Sequence, residues 1–143
     1  MLTGKRLLAL DVGSRRIGVA VSDHAGMLAH PLVTLDAISL RQDSERIVAL
    51  ARKEEAEGVV VGLPAHADQS ESGSAKRARR LGEALAAAGL AVDYMDEWGT
   101  SLEAKAALAH LPKSKRREKG AVDQAAAVAI LTGYLEARDR QAH

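Results

Sequence analysis

The chain has no cysteine and no phenylalanine, and only one tryptophan and two tyrosines in 143 residues. Without cysteine there is no disulfide, no thiolate metal site and no thiol nucleophile. With aromatics at 2%, there is almost no flat side-chain surface on which bases could stack. No apolar run approaches the roughly 20 residues that cross a bilayer. The opening MLTGKRLLALDVG meets charge and glycine without a signal-peptide cleavage pattern, so the expectation is a cytoplasmic protein with no membrane partner. Charge of one sign is also not in excess: 20 basic and 19 acidic residues leave a net +1. What is present is 47% hydrophobic and 27% charged, an ordinary globular composition. One domain typically takes roughly 100–200 residues, so residues 1–143 are read as a single domain with a core of Leu, Val, Ile and Ala.

The charges are unevenly placed. Basic residues bunch at Lys76, Arg77, Arg79 and Arg80, and again at Lys113, Lys115, Arg116, Arg117 and Lys119. Acids close apolar runs, as Asp11, Asp23, Asp96 and Glu97. Local cationic patches around a few carboxylates suit a protein that binds a polyanion and cleaves it through a metal. Two solvated surface faces would give the same pattern.

Periodicity supplies the elements. RLLALDV (6–12) and IGVAVS (17–22) are short apolar runs, and MLAHPLVTL (27–35) reads as a third strand that Pro31 places at a sheet edge. Together they form an antiparallel meander. Ser39 to Gln42 is a capping box opening a helix with Leu40, Ile47, Val48 and Ala51 at helical spacing, for which Gly58 is the expected stop. GVVVGLP is a continuous β-branched run suited to a strand covered on both faces. Ser74–Ala88 reads as a second helix, with Ala78, Leu81, Leu85 and Ala88 inward and Gly89 ending it, and residues 91–97 as a fifth strand. A capping box from Thr100 to Glu103 opens a third helix, and residues 121–135 form a last one, apolar almost all round and hence buried. The order β-β-β-α-β-α-β-α-α implies an α/β fold with a mixed five-stranded sheet flanked by helices. No glycine-rich phosphate loop of the G-x-G-x-x-G or Walker type is present.

Three acids stand out. Alternation puts Leu7, Ala9 and Asp11 on one face of the first strand, and an acid there is costly to bury unless it is paired or holds a metal. In the fifth strand Asp93, Met95 and Glu97 share a face, opposite Val92, Tyr94 and Asp96. Asp123 lies in the first turn of the last helix. Each has a bland explanation: a turn cap for Asp11, and complementation of a helix dipole for Glu97 and Asp123. Sites in α/β sheets form at the C-terminal ends of parallel strands, where Asp11 and Glu97 fall. Carboxylates converging there without Cys or clustered His prefer Mg²⁺ or Mn²⁺. Two such ions about 4 Å apart can activate water and stabilise the leaving oxygen of a phosphodiester.

LALDVGSRRIGVAVSD (8–23), VVVGLP (59–64), DEWGTS (96–101) and KGAVDQAAAVAILTGYL (119–135) together resemble the YqgF (RuvX) family of the RNase H-like superfamily, over essentially the whole chain and in the same motif order. The resemblance implies an RNase H-like fold with sheet order 3-2-1-4-5. It also implies a divalent-metal nuclease in which Asp11, Glu97 and Asp123 are catalytic and hold Mg²⁺ or Mn²⁺, two ions in all. The implied substrate is RNA, through maturation of the 5′ end of precursor 16S ribosomal RNA, or a four-way DNA junction. A junction resolvase makes two symmetric cuts and is expected to be a homodimer, whereas an RNA-trimming enzyme works as a monomer. Arg16, Lys76, Arg77, Arg80, Lys115, Arg116 and Lys119 are the expected nucleic-acid contacts, which would position a backbone without reading its sequence. The chain departs from the family pattern at Trp98, where an arginine is usual, and at Asp68-Gln69, where an Asp-Gly turn is usual; loop 65–73 is affected by the second. The five histidines show no metal-ligand spacing, and His24 beside Asp23 is the one nearest an acid of interest.

Two rival readings are open at this level. Asp11-Val12-Gly13 is also the kind of turn that opens actin-like ATP-binding lobes, but those work in pairs and 143 residues make only one. A non-catalytic RNA- or junction-binding factor is the other. Against it, three acids would repel a phosphate backbone unless metals neutralised them.

Overall fold

A computed structural model describes residues 1–64, 73–96 and 119–142, the side chains of 119–121 excepted. The strands are β1 (Leu7–Val12), β2 (Arg16–Ser22), β3 (Ala29–Asp36), β4 (Gly58–Leu63) and β5 (Val92–Asp96). Three helices are described: α1 (Leu40–Lys53), α2 (Gly73–Ala87) and α3 (Lys119–Ala142). The sheet order is β3-β2-β1-β4-β5, as the resemblance implied. β1, β2 and β3 pair antiparallel, while β4 runs parallel to β1 and β5 parallel to β4. The expected helix opening at Thr100 lies outside the described residues.

β1 and β4 are central and covered on both faces, which is why they read as unbroken apolar runs. β3 is an edge strand, as Pro31 required, and its ladder shifts register by one residue beside that proline. The alternation along β1 divides two cores. Leu8, Leu10 and Val12 join Ile17, Val19, Val59 and Val61 against Ile47 of α1 and Leu81 and Leu85 of α2. Leu7 and Ala9 join Ala20 and Val60 against Ala127, Ile130, Leu131 and Tyr134 of α3. Each fully buried Leu or Ile contributes about 1.5–3 kcal/mol by leaving water.

The helix ends differ in part from the sequence reading. Ser39 caps α1 as expected, its side chain accepting from the Gln42 amide at 3.1 Å. Leu40, however, is exposed, because it precedes the stripe formed by Asp43, Ile47 and Ala51. The stop is not Gly58, which is the first residue of β4. Glu55 instead takes the left-handed conformation (φ 56°), and the Ala56 amide donates back to the Ala51 carbonyl. In α2 the inward residues are Ala75, Ala78, Leu81, Gly82 and Leu85. Ala88 lies past the helix end and is exposed, while Gly89 (φ 100°) makes the expected turn.

α3 runs seven residues beyond the expected Leu135, carrying a polar final stretch, and it is not buried all round. Its inner side is held by the first core strands, whereas Val122 is 41% exposed. Tyr134 fastens it: the hydroxyl donates to Asp93 Oδ2 at 2.6 Å and accepts from the Leu2 amide at 2.6 Å. Arg138 donates to the carbonyls of Leu2 and Gly4. The last helix thereby ties the start of the chain to β5.

Candidate active site

Asp11 sits one residue before the end of β1, half-buried, on the α3 face that Leu7 and Ala9 occupy. Its partner across the β1–β2 ladder is Gly18, and Gly18 in turn pairs with Thr34 of β3. Directly opposed residues of antiparallel strands share a face, so Asp11, Gly18 and Thr34 form a row across three strands. The middle of that row has no side chain, and α3 enters the gap. A Cβ added at Gly18 would collide with the backbone carbonyl of Asp123 and stand 2.9 Å from the Asp123 Cβ. Asp123 is therefore seated over the residue opposite Asp11.

Neighbouring contacts hold this arrangement. Gln124 Nε2 donates to Thr34 Oγ1 at 3.0 Å, fixing the first turns of α3 on β3. Arg16 Nε donates to Asp123 Oδ2 at 2.7 Å, with the two side chains 33% and 19% exposed. Arg16 opens β2 after a tight turn in which the Gly13 amide donates to the Arg16 carbonyl at 2.9 Å. A Cβ at Gly13 would lie 2.8 Å from that same oxygen, so the turn needs glycine. Thus the sequence just after Asp11 delivers the guanidinium that neutralises Asp123.

The structure brings Asp11, Asp123 and Arg16 together. Arg16 meets a carboxylate here, where the sequence reading gave it a phosphate. Asp93 and Met95 take the α3 side of β5, Asp93 through Tyr134 and Met95 by packing in that core. Val92 and Tyr94 take the other side. Glu97, next in that alternation, lies outside the described residues, as do Trp98, Lys115, Arg116 and most of loop 65–73. Lys119 begins α3, and its side chain is likewise outside them. Lys76, Arg77 and Arg80 are exposed on α2 and border a cavity beside the Gly13-Ser14 turn, on the sheet face away from Asp123.

Asp23 is a turn former, not part of this site. Its carboxylate accepts from the Met27 amide at 2.8 Å, and that bond, joined by those from Leu28 and Gly26, holds its pKa below the ordinary carboxylate value. His24 stands exposed in the same turn. The residues missed from sequence are Gly18, Thr34 and Gln124. A glycine inside a strand marks a close backbone approach, and that signal was available at Gly18.

Among the described residues no group of three His, Cys, Asp or Glu is clustered to hold a metal. The described pair nevertheless fits a divalent cation by its donor chemistry. Asp11 and Asp123 offer hard carboxylate oxygens, and Mg²⁺ is commonly held by one or two carboxylates with substrate phosphate and water completing the shell. One Asp123 oxygen is taken by Arg16, which leaves the other oxygen and Asp11 as the remaining hard donors of the pair.

Residues 5–137 match the family model described as RuvX, Holliday junction resolvase. A protein of Thermus thermophilus, provisionally named a pre-16S rRNA nuclease, is 42% identical over 91% of this chain and 96% of its own length. One of Lactobacillus gasseri with the same provisional name is 42% identical over 92% and 96%. Among solved structures, Thermus thermophilus RuvC in complex with Holliday junction substrate superposes with a TM-score of 0.61 at 17% identity, covering 94% of this chain and 96% of that one. Fowlpox virus resolvase bound to Holliday junction DNA gives 0.60 at 8% identity, covering 93% and 98%. With the strand order above, these likenesses identify the fold as RNase H-like.

Proposed function

The chain belongs to the RuvX family of Holliday junction resolvases, and from that premise we propose that it is a divalent-metal-dependent nuclease acting as one domain spanning residues 1–143. The observation that carries the reading is Asp123 seated over Gly18, opposite Asp11. Two carboxylates from the first strand and the last helix are brought to one sheet edge through a gap that a side chain would close. Asp11 and Asp123, with Glu97, which follows β5 in the sequence, would hold a pair of Mg²⁺ or Mn²⁺ ions; such ions would supply activation of water and neutralisation of the leaving oxygen.

The protein's own contribution is placement. Arg16 keeps Asp123 turned toward β2, and its guanidinium nitrogens would offer donors to a non-bridging phosphate oxygen beside that carboxylate. Lys76, Arg77 and Arg80 would hold the substrate backbone beside the Gly13-Ser14 turn, and Lys115, Arg116 and Lys119 are assigned further backbone contacts. The names of the relatives support precursor 16S rRNA as substrate; the 5′ end as the place of cutting, and a monomer acting in the cytoplasm, belong to the same proposal. The family description supports four-way junction DNA as the second substrate, for which a homodimer would be needed. No helix among the described residues is long and apolar enough to cross a membrane.

The test is cleavage of a 5′-extended 16S rRNA fragment and of a synthetic four-way junction, with Mn²⁺, Mg²⁺ or EDTA. Wild type is expected to cut in metal and not in EDTA. Asp11→Asn and Asp123→Asn should each lose at least about 100-fold, since even second-shell changes at metal sites cost roughly 10–100-fold. Tight binding without cleavage in any metal would instead favour the non-catalytic binding factor.

A further inference from the structure

The sheet face away from Asp123 carries a cavity of about 390 Å³ between α1 and α2. Its floor is apolar, formed by Val12, Ile17 and Leu81, all buried. At its mouth Ile38 and Leu40 are 63% and 48% exposed, two large aliphatic side chains left uncovered beside an open space. The opposite wall is cationic: Lys76, Arg77 and Arg80 all line it. None of the three has an ion-pair partner among the described residues. The acid in the wall is already engaged, because Asp43 Oδ1 accepts from the Ile38 amide at 3.0 Å and from Arg46 Nη2 at 2.6 Å. The space thus offers an apolar surface beside positive charge that no described residue pairs with.

We propose that this cavity is a subsite for a single nucleotide unit, its base against the aliphatic floor and mouth and its phosphate among Lys76, Arg77 and Arg80. Small-molecule sites span roughly 300–1,000 Å³, and a space near the lower limit admits one nucleotide and excludes a duplex. The described residues of the wall include no aromatic, so on their account the base is held by burial, and tolerance of base identity follows. Position relates the cavity to the carboxylates. Val12 follows Asp11 in β1, with its side chain on the opposite face. A chain crossing the edge of the sheet therefore passes the acids and the cavity in succession. The subsite rests on the nuclease reading for its role in a substrate strand, while nucleotide binding itself does not depend on cleavage.

The experiment is an amide NMR titration without divalent metal, using adenosine 5′-monophosphate, inorganic phosphate and a single-stranded RNA 12-mer as probes. The mononucleotide is expected to move the Ser14, Ile38 and Arg80 amides, and phosphate only those of α2. Ile38→Asp should weaken the mononucleotide about tenfold, 1.4 kcal/mol by the usual conversion, and phosphate by a smaller factor, through the added negative charge alone. Lys76→Gln combined with Arg80→Gln should weaken both probes. Both variants change exposed side chains, and a wild-type thermal midpoint confirms that each is folded. If the 12-mer moves the same amides and displaces the mononucleotide, the bound unit belongs to a substrate strand; if it does neither, the site takes free mononucleotide. Unmoved Ser14 and Ile38 amides, or an Ile38→Asp protein that binds the mononucleotide like wild type, would overturn the proposal. Failure of the nuclease reading would show separately, as absent cleavage with these shifts intact.

Discussion

Asp123 is the residue on which the two ends of the chain's chemistry meet, and Arg16 is its ion-pair partner. A guanidinium 2.7 Å from one carboxylate oxygen competes with any cation for that oxygen. Arg16→Gln is therefore expected to lower the Mn²⁺ concentration for half-saturation, read as loss of the free-Mn²⁺ resonance, by about three- to tenfold, or roughly 0.7–1.4 kcal/mol. Cleavage should fall in the same variant as the phosphate loses its partner; an unchanged Mn²⁺ titration would show that the ion pair is only structural. Tyr134 gives a second residue-scale prediction. Burial, and then its hydrogen bond to Asp93, push its hydroxyl up to about 12 from an ordinary 10. The native state thus keeps a proton that the unfolded state releases, and the stability it contributes is present below pH 10 and lost as pH rises toward 12. Tyr134→Phe should cost about 1–2 kcal/mol at neutral pH by leaving Asp93 and the Leu2 amide without their partner. The gap between variant and wild type in urea melts should close across pH 10–12.

At the scale of elements, the contact of α3 with β2 depends on an absent side chain. Gly18→Ala would push against the Asp123 backbone, which cannot rotate away as a side-chain tip could. Overpacking of this kind costs about 1–3 kcal/mol. We expect a lower melting temperature and a loss of cleavage larger than the loss of stability explains, since the shift falls on Asp123 itself. Unaltered cleavage would mean that α3 can lift without moving its carboxylate. The sequence made part of this legible. Period-two alternation placed Asp11 with Leu7 and Ala9, and a mixed sheet followed from the order of runs. Gly18 was passed over because a glycine inside a strand first reads as a weak strand former, and what it admits comes from 105 residues later in the chain. The stop of α1 was misplaced for a different reason. Glu55, an exposed residue, adopts a backbone conformation that side chains rarely favour, in a local turn where the Ala56 amide donates back to the Ala51 carbonyl, and residue type alone does not announce such a turn.

For the whole molecule, a net charge of +1 hides a polarised edge, with carboxylates on one side of β1 and three cations on the other. Nucleic-acid affinity should accordingly be local and salt-sensitive. Replacing Lys76, Arg77 and Arg80 together by Gln should reduce the slope of log affinity against log salt by about 2 for single strands, at roughly 0.7 per phosphate contact. An unchanged slope would place the backbone elsewhere. The basic clusters were visible in sequence, but the cavity beside one of them was not, because it arises only where α1 and α2 pass over the β1 turn. The order of the elements has one more consequence, in the course of synthesis. Asp11 is translated well before Asp123, which lies on the helix that covers one face of the sheet. Until that helix is made and docked, a nascent chain has Asp11 without Asp123, so on the proposed reading cleavage waits for translation to pass the last helix.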